Sequence, residues 1–91
     1  MDEPKIEFPC DYPVKVIVEI APDVVKDILV EEIISIIEHH DPKLSRESIS
    51  YNPSRNGKYT SIRFIIWATG TPQLEMMFTE LKQCEAVRMV L

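Results

Sequence analysis

The spacing of apolar residues switches repeatedly between two residues and about 3.6 residues along this chain, and no other feature constrains its fold as strongly. From Tyr12 to Ile20 the apolar residues alternate, which predicts a half-buried strand. A helical period follows, with the helix expected to start at Ala21-Pro22-Asp23 and to end near His39-His40, before Asp41-Pro42. Its predicted buried stripe consists of Val25, Leu29, Ile33, Ile36 and Ile37.

The second half of the chain repeats this alternation after a hairpin. Ile49 to Pro53 predicts a short edge strand, Asn56-Gly57 a tight turn, and Lys58 to Thr69 a long strand. The next helix is predicted from Gly70-Thr71-Pro72 to near Cys84, with Thr71 as its N-cap. Ala86 to Leu91 alternates again and predicts a last strand, with Val87 and Met89 facing the helices.

The resulting order is β-α-β-β-α-β, which predicts a single α+β domain of ferredoxin-like type. Right-handed crossovers place both helices on one face of a four-stranded antiparallel sheet, with the strand order 4-1-3-2. We assign residues 12–91 to this domain and residues 1–11 to a flexible N-terminal tail, since Pro4 and Pro9 interrupt that segment.

The other face of such a sheet is not covered by the helices, and it holds the first set of candidate interaction residues. These are the apolar Ile17, Ile65 and Trp67 together with the basic Arg63 and Arg88. Large apolar groups gathered on one open face mark an interaction surface. The alternatives are simple exposure, or a cover formed by the N-terminal tail through Ile6 and Phe8.

The hairpin tip holds the second set of candidate residues. They are Ser54, Arg55, Gly57, Lys58 and Tyr59. Two basic side chains beside backbone N–H groups suit an anion or an acidic partner. The competing interpretation is a well-formed turn whose basic residues are simply exposed to water.

Charge and composition argue against several classes of function. The net charge is −5, which is opposite to the basic footprint of most nucleic-acid-binding domains. The RNA-recognition motif has the same element order, but here Ser61 replaces one stacking aromatic residue and Ile17 another. The acidic start at Met1-Asp2-Glu3-Pro4 does not resemble a secretory leader, and the apolar run from Phe64 to Ala68 is too short to span a membrane. We therefore expect a cytoplasmic protein.

No catalytic or metal site is predicted, and no cofactor. The adjacent His39 and His40 would point about 100° apart on a helix, which disfavours a shared ion. Cys84 follows a helix C-terminus, where the dipole disfavours a thiolate, and we expect both it and Cys10 to be free thiols. The chain is therefore expected not to be an enzyme.

Several short motifs also resemble a known family. They are Phe8-Pro9, Lys15-Val16, Pro53-Ser54 with Gly57, Tyr59 and Ser61, then Ala68-Thr69, Glu80-Leu81 and the terminal Val87-Arg88-Met89-Val90-Leu91. In these the chain resembles the YbeD-like family of small bacterial proteins of unknown function. The resemblance implies an ACT-like βαββαβ fold, a cytoplasmic location, no known enzymatic activity and an association with lipoate metabolism.

Two functional hypotheses follow. The leading one is a non-enzymatic regulatory or adaptor domain that binds a protein partner, or itself, through the open sheet face. The alternative, suggested by the ACT-like resemblance, is a sensor that binds a small molecule at a dimer seam. ACT domains commonly carry a glycine after the first strand, whereas this chain has Ile20-Ala21-Pro22-Asp23 there, which argues against amino-acid sensing.

Overall fold

The computed structural model describes residues 7–91 and confirms the predicted βαββαβ order. The elements are β1 (Cys10–Glu19), α1 (Lys26–His40), β2 (Ser50–Pro53), β3 (Tyr59–Ala68), α2 (Thr71–Gln83) and β4 (Val87–Val90). A 3-10 turn at Arg46–Ser48 precedes β2. The four strands form one antiparallel sheet in the order β2-β3-β1-β4, which is the predicted order read from the opposite edge.

The two central strands, β1 and β3, set the two faces of the sheet. They pair over ten residues, from Cys10 opposite Ala68 to Glu19 opposite Tyr59, so side chains alternate in step on both strands. One face packs under the helices and forms the core. Its strand residues include Val14, Val16, Val18, Ile62, Phe64 and Ile66, and its helix residues include Leu29, Ile33, Ile37, Leu74, Met77 and Leu81.

The edge strand β4 departs from simple alternation, and this overturns one prediction. Val87 lies opposite Val18 and is buried, as predicted, but the register then shifts by one residue. Because a β-bulge places two residues against one, Met89 lies opposite Ile17 on the open face. The prediction that Met89 faces the helices was therefore wrong.

The start of each helix differs from the sequence prediction: α1 begins later, and α2 begins one residue earlier. The backbone N–H of Val24 donates to the carbonyl of Ala21 at 3.0 Å, so residues 21–24 form a turn, and α1 begins only at Lys26. Val25 is consequently the N-cap residue and is exposed, which contradicts its predicted place in the buried stripe. In α2 the N-cap is Gly70 rather than the predicted Thr71.

The first described residues belong to the folded domain. β1 begins at Cys10, two residues before the predicted start at Tyr12, and Phe8 packs against the core. Phe8 is therefore engaged elsewhere than on the open sheet face, whereas Ile6 and the rest of residues 1–6 lie outside the described residues. Within residues 7–91, neither helix has the length and apolar character that a bilayer span requires.

Candidate interaction surface

The open face of the sheet presents a set of large apolar side chains. Trp67 is 47% exposed and Ile65 is 52% exposed, and both belong to β3. Ile17 is half-buried beside Met89, which is 49% exposed. The structure therefore places the three predicted apolar residues on one face and adds Met89 to them. We call this set, Ile17, Ile65, Trp67 and Met89, the open-face patch.

Two basic residues stand side by side at the centre of the same face. Lys15 on β1 and Arg63 on β3 are directly opposite each other in the ladder. Like charges at such a position destabilise a sheet, by up to about 1 kcal/mol. Neither side chain forms an ion pair with a carboxylate in residues 7–91.

The backbone of Trp67 is held by hydrogen bonds to two side chains from other elements. Its N–H donates to Oδ2 of Asp41 at 3.0 Å, and its carbonyl accepts from Nε2 of Gln73 at 3.2 Å. The same Gln73 nitrogen donates to the carbonyl of His40 at 2.9 Å, and Gln73 Oε1 accepts from the N–H of Thr69 at 2.7 Å. The ends of α1 and β3 and the start of α2 are thereby joined beneath the indole.

Arg88 lies at the other end of the face, where it is held by Glu19. Its Nε donates to Oε2 of Glu19 at 3.0 Å, and Nη2 donates to the same oxygen. This hydrogen bond lowers the pKa of the Glu19 carboxyl below its ordinary value, and the positive charges of Arg88 and Lys58 act in the same direction. The Arg88 guanidinium is therefore already paired within the domain.

The lowered pKa of Glu19 predicts a loss of stability in acid. Because the folded-state pKa is depressed, the stabilising effect is present above the ordinary carboxyl pKa and disappears as the pH falls through the folded-state value. Glu19→Gln should therefore reduce the difference between urea unfolding midpoints at pH 7 and pH 3. Glu75→Gln, which alters an exposed carboxylate, is the control and should leave that difference unchanged.

The hairpin tip satisfies most of its polar groups internally. The Ser54 hydroxyl donates to Oδ1 of Asn56 and accepts from the N–H of Tyr59, both at 3.0 Å. The N–H of Gly57 donates to the Ser54 carbonyl at 2.9 Å, and Gly57 has a φ of 74°, which suits glycine. These contacts are those of a well-formed turn and leave few donors for an anion.

The charged side chains of the hairpin are unequally engaged. Nζ of Lys58 lies 3.8 Å from Oε1 of Glu19 and 5.4 Å from the centre of the Tyr59 ring, whereas Arg55 makes no ion pair in the part of the chain described. Tyr59 and Trp67 are eight positions apart on β3, a separation of roughly 27 Å at about 3.4 Å per residue. The Trp67 end of the open face is therefore remote from the hairpin, whereas Glu19 brings Arg88 of the first set close to Lys58 of the second.

Sequence reasoning missed the residues that support Trp67. Asp41 was interpreted only as a helix stop, although an aspartate before proline often accepts a hydrogen bond from the residue two positions on. That bond is present, from the N–H of Lys43 at 3.2 Å. No sequence signal indicated that the second carboxylate oxygen would reach Trp67, or that Gln73 would bridge two elements.

The histidines take structural positions. Nε2 of His40 lies 3.0 Å from Oε1 of Glu80, which links α1 to α2, and the His39 ring contacts the His40 ring edge to face. Among residues 7–91 no three His, Cys, Asp or Glu side chains converge in a way that suits a metal ion. Cys10 and Cys84 are both free thiols, as predicted.

Comparison with known proteins assigns the chain to a family. A family model described as "Protein of unknown function (DUF493)" matches residues 3–91. The chain belongs to this family. A UPF0250 protein of Hahella chejuensis is 44% identical over 90 residues, which cover 99% of this chain and 93% of the relative. One of Azotobacter vinelandii is 40% identical over 89 residues, covering 97% and 91%.

These matches confirm the YbeD-like resemblance, and no enzymatic family is indicated by them. Solved structures confirm the fold. The solution structure of protein HP0495 from H. pylori has a TM-score of 0.71 at 19% identity and covers 98% of this chain and 88% of its own. The ACT domain of a GTP pyrophosphokinase from Chlorobium tepidum has a TM-score of 0.61 at 16% identity, covering 89% and 84%. The ACT-like fold is thereby established.

Proposed function

We propose that this domain is a non-enzymatic adaptor that binds a protein partner through the open sheet face. The observation that carries the proposal is the open-face patch, whose large apolar side chains stay in water although the domain has a complete core on its other face. Aromatic residues flanked by arginine are enriched where protein interfaces derive their energy. Trp67, with Arg63 four residues away on the same face of β3, has this composition.

The rigid support of Trp67 favours a binding role over simple exposure. Its backbone N–H and carbonyl are both held by side chains from outside the sheet, those of Asp41 and Gln73. A side chain presented from a fixed backbone loses less conformational entropy when a partner docks. Trp67 is therefore the residue we expect to contribute most to the binding free energy.

The charges on the face indicate the chemistry of the partner. Lys15 and Arg63 are adjacent, and neither side chain forms an ion pair with a carboxylate within residues 7–91. A two-fold dimer centred on this pair would bring four cations together, which disfavours self-association through the face. We infer a different protein, with apolar side chains for the open-face patch and a carboxylate for Lys15 and Arg63.

The test begins by identifying the partner and ends by measuring its affinity. The immobilised chain retrieves the partner from a bacterial lysate, mass spectrometry names it, and calorimetry with the purified partner follows. Trp67→Ala should weaken binding by about 2 kcal/mol or more, about 30-fold in Kd. Met76→Ala removes an exposed apolar side chain from α2 and should leave the Kd unchanged. Unchanged affinity of the Trp67 variant would refute the proposal.

Arg63→Glu should change stability and binding in opposite directions. Replacing a like-charge pair by an opposite-charge pair opposite Lys15 should raise the free energy of unfolding by about 0.2–1 kcal/mol. The same change places a carboxylate where an acidic partner docks, so affinity should fall. Urea unfolding and calorimetry measure the two effects, with Lys82→Glu on α2 as the charge-matched control. A variant that becomes less stable while binding normally would contradict both the pairing and the proposal.

The sensor hypothesis and the link to lipoate remain predictions, and one screen addresses both. A ligand at about 100 times its Kd adds about 2.7 kcal/mol of stability, which raises the Tm by several degrees in a domain of this size. Thermal-shift measurements with amino acids, lipoate and octanoate would show such an increase for a sensor. Under the adaptor proposal we expect no shift with any of them.

A further inference from the structure

A second exposed apolar surface lies in the helical layer, on the opposite side of the domain from the open sheet face. It is a groove of about 1020 Å³ that is open to solvent. One wall is α1 with the turn before it, and the other is the end of α2 with the segment that leads to β4. We call it the helix groove. Its apolar lining consists of Val24, Val25, Ile28, Leu29, Ile36, Cys84 and Ala86.

The apolar residues of the α1 wall are more exposed than the core requires. Ile28 is 64% exposed and Val25 is 59% exposed, although both are large aliphatic side chains. With Glu32 they recur at the i, i+3 and i+7 spacing, which places them along one flank of the helix. This flank is separate from the stripe through Ile33 and Ile37 that packs on the sheet.

The rim of the helix groove carries one sign of charge. Its charged lining residues are Glu31, Glu32, Glu80 and Glu85, with no lysine, arginine or histidine among them. Arg46 pairs with Glu31 and His40 with Glu80, but Glu32 and Glu85 form no ion pair within residues 7–91. A ligand for this groove must therefore combine apolar groups with positive charge.

The secondary structure of the groove walls indicates which secondary structure a bound peptide would have. Residues 29–36 of α1 have already paired their N–H and C=O groups within the helix, so an extended peptide would find no backbone partners along this wall. A helix brings its backbone hydrogen bonds with it and needs only side-chain contacts, made at i, i+3, i+4 and i+7. The groove is also open to solvent along its length, whereas metabolite pockets bury most of the ligand surface.

We propose that the helix groove binds a basic amphipathic helix of a protein partner. Apolar side chains of that helix would contact Ile28 and Val25, and flanking lysines or arginines would pair with Glu32 and Glu85. A second copy of this chain does not supply such a helix, because α1 and α2 each carry glutamates on their exposed surface. The proposal is independent of the function proposed for the open sheet face.

The test uses a designed probe, since the natural helix is not identified. The probe is a fluorescein-labelled peptide of about 18 residues with leucines at helical spacing and lysines on both flanks of the stripe. Fluorescence anisotropy measures its binding to the whole chain. We expect saturable binding that weakens with salt. Two control peptides, one with glutamates in place of the lysines and one with the same residues in scrambled order, should bind at least about tenfold more weakly. Equal binding of either control, or no binding of the basic peptide, would overturn the proposal.

Variants locate the probe on the domain. The double variant Glu32→Lys, Glu85→Lys and the single variant Ile28→Ser alter exposed side chains only, so the fold should persist by circular dichroism. Each should weaken binding by about tenfold or more, while Trp67→Ala and Arg63→Glu should leave it unchanged. Because Trp67 is the only tryptophan, its emission should also stay constant. Weakening by Trp67→Ala would place the probe on the sheet and refute the proposal. So would a sedimentation result in which the chain dimerises and Ile28→Ser prevents it.

Discussion

Replacing Ile66 by alanine should lower the free energy of unfolding by about 2–5 kcal/mol, whereas Ile65→Ala should change it by less than about 1 kcal/mol. The two isoleucines are neighbours on β3 and differ only in the face they occupy. Ile66 is fully buried under the helices, and Ile65 is 52% exposed on the other side. Truncating a buried side chain removes its contacts and leaves a cavity, whereas truncating a half-exposed one removes fewer contacts and leaves no enclosed cavity.

Urea unfolding of the two variants and the parent chain measures this contrast. Each kcal/mol lost should lower the Tm by about 4–8 °C in a domain of this size. The slope of the unfolding free energy against urea should be the same for all three proteins, since the unfolded chain exposes nearly the same surface. Equal losses at Ile65 and Ile66 would mean that the open face is covered in the isolated domain, and the adaptor proposal would fail with it.

The strand assignments followed from the sequence because period two is a strong and local signal. Residues of β3 alternate without interruption, so Arg63, Ile65 and Trp67 had to share a face once the strand was recognised. The order of the elements is compatible with only a few sheet topologies, because the connections that cross over the sheet are right-handed. The sheet order and the side occupied by the helices could therefore be predicted.

The errors arose where backbone geometry changes within one or two residues. A bulge in β4 reverses the side of Met89, and nothing in the alternation of Ala86 to Leu91 indicates it. The start of α1 shifted because residues 21–24 close a turn before the helix begins, which left Val25 exposed. Helix and strand ends depend on a few hydrogen bonds that apolar spacing does not encode.

The candidate site was predictable as a list of residues but not as an arrangement. Alternation placed Trp67 on the open face, but its support by Asp41 and Gln73 requires the end of α1 and the start of α2 to meet beneath β3. Contacts between separate elements depend on tertiary packing, and no local sequence pattern predicts them. The separation of the hairpin from the Trp67 end, in contrast, follows from the predicted strand Lys58 to Thr69, which the structure places at Tyr59–Ala68.

The two proposed surfaces differ in the charge that each would present to a partner. The open sheet face has Lys15 and Arg63 at its centre, and the helix groove has glutamates on its rim. Electrostatic complementarity of this kind discriminates between partners and speeds their encounter. Each surface would therefore reject the partner of the other, which is the property an adaptor between two different proteins requires.

Asp41→Ala should destabilise the domain by about 1–3 kcal/mol, more than a typical surface substitution. β2 ends its pairing with β3 at Ser50 opposite Arg63, so the N–H of Trp67 has no strand partner on that edge. The Asp41 carboxylate accepts this N–H as well as that of Lys43, and Asp41 is only 7% exposed. Removing the carboxylate leaves a partly buried donor without an acceptor, which costs more than the net value of one hydrogen bond.

Two variants and one site-specific measurement complete this test. Asp41→Asn keeps one acceptor oxygen and should lose less stability than Asp41→Ala. Asp11→Ala removes an exposed carboxylate directly opposite Trp67 and should have little effect. Hydrogen exchange followed by NMR should show the Trp67 amide exchanging faster in Asp41→Ala by more than the global destabilisation explains, because its own hydrogen bond is lost. If the Trp67 amide remained protected in Asp41→Ala, Asp41 would not hold the backbone of Trp67. Trp67 would then not be pre-organised for binding by Asp41.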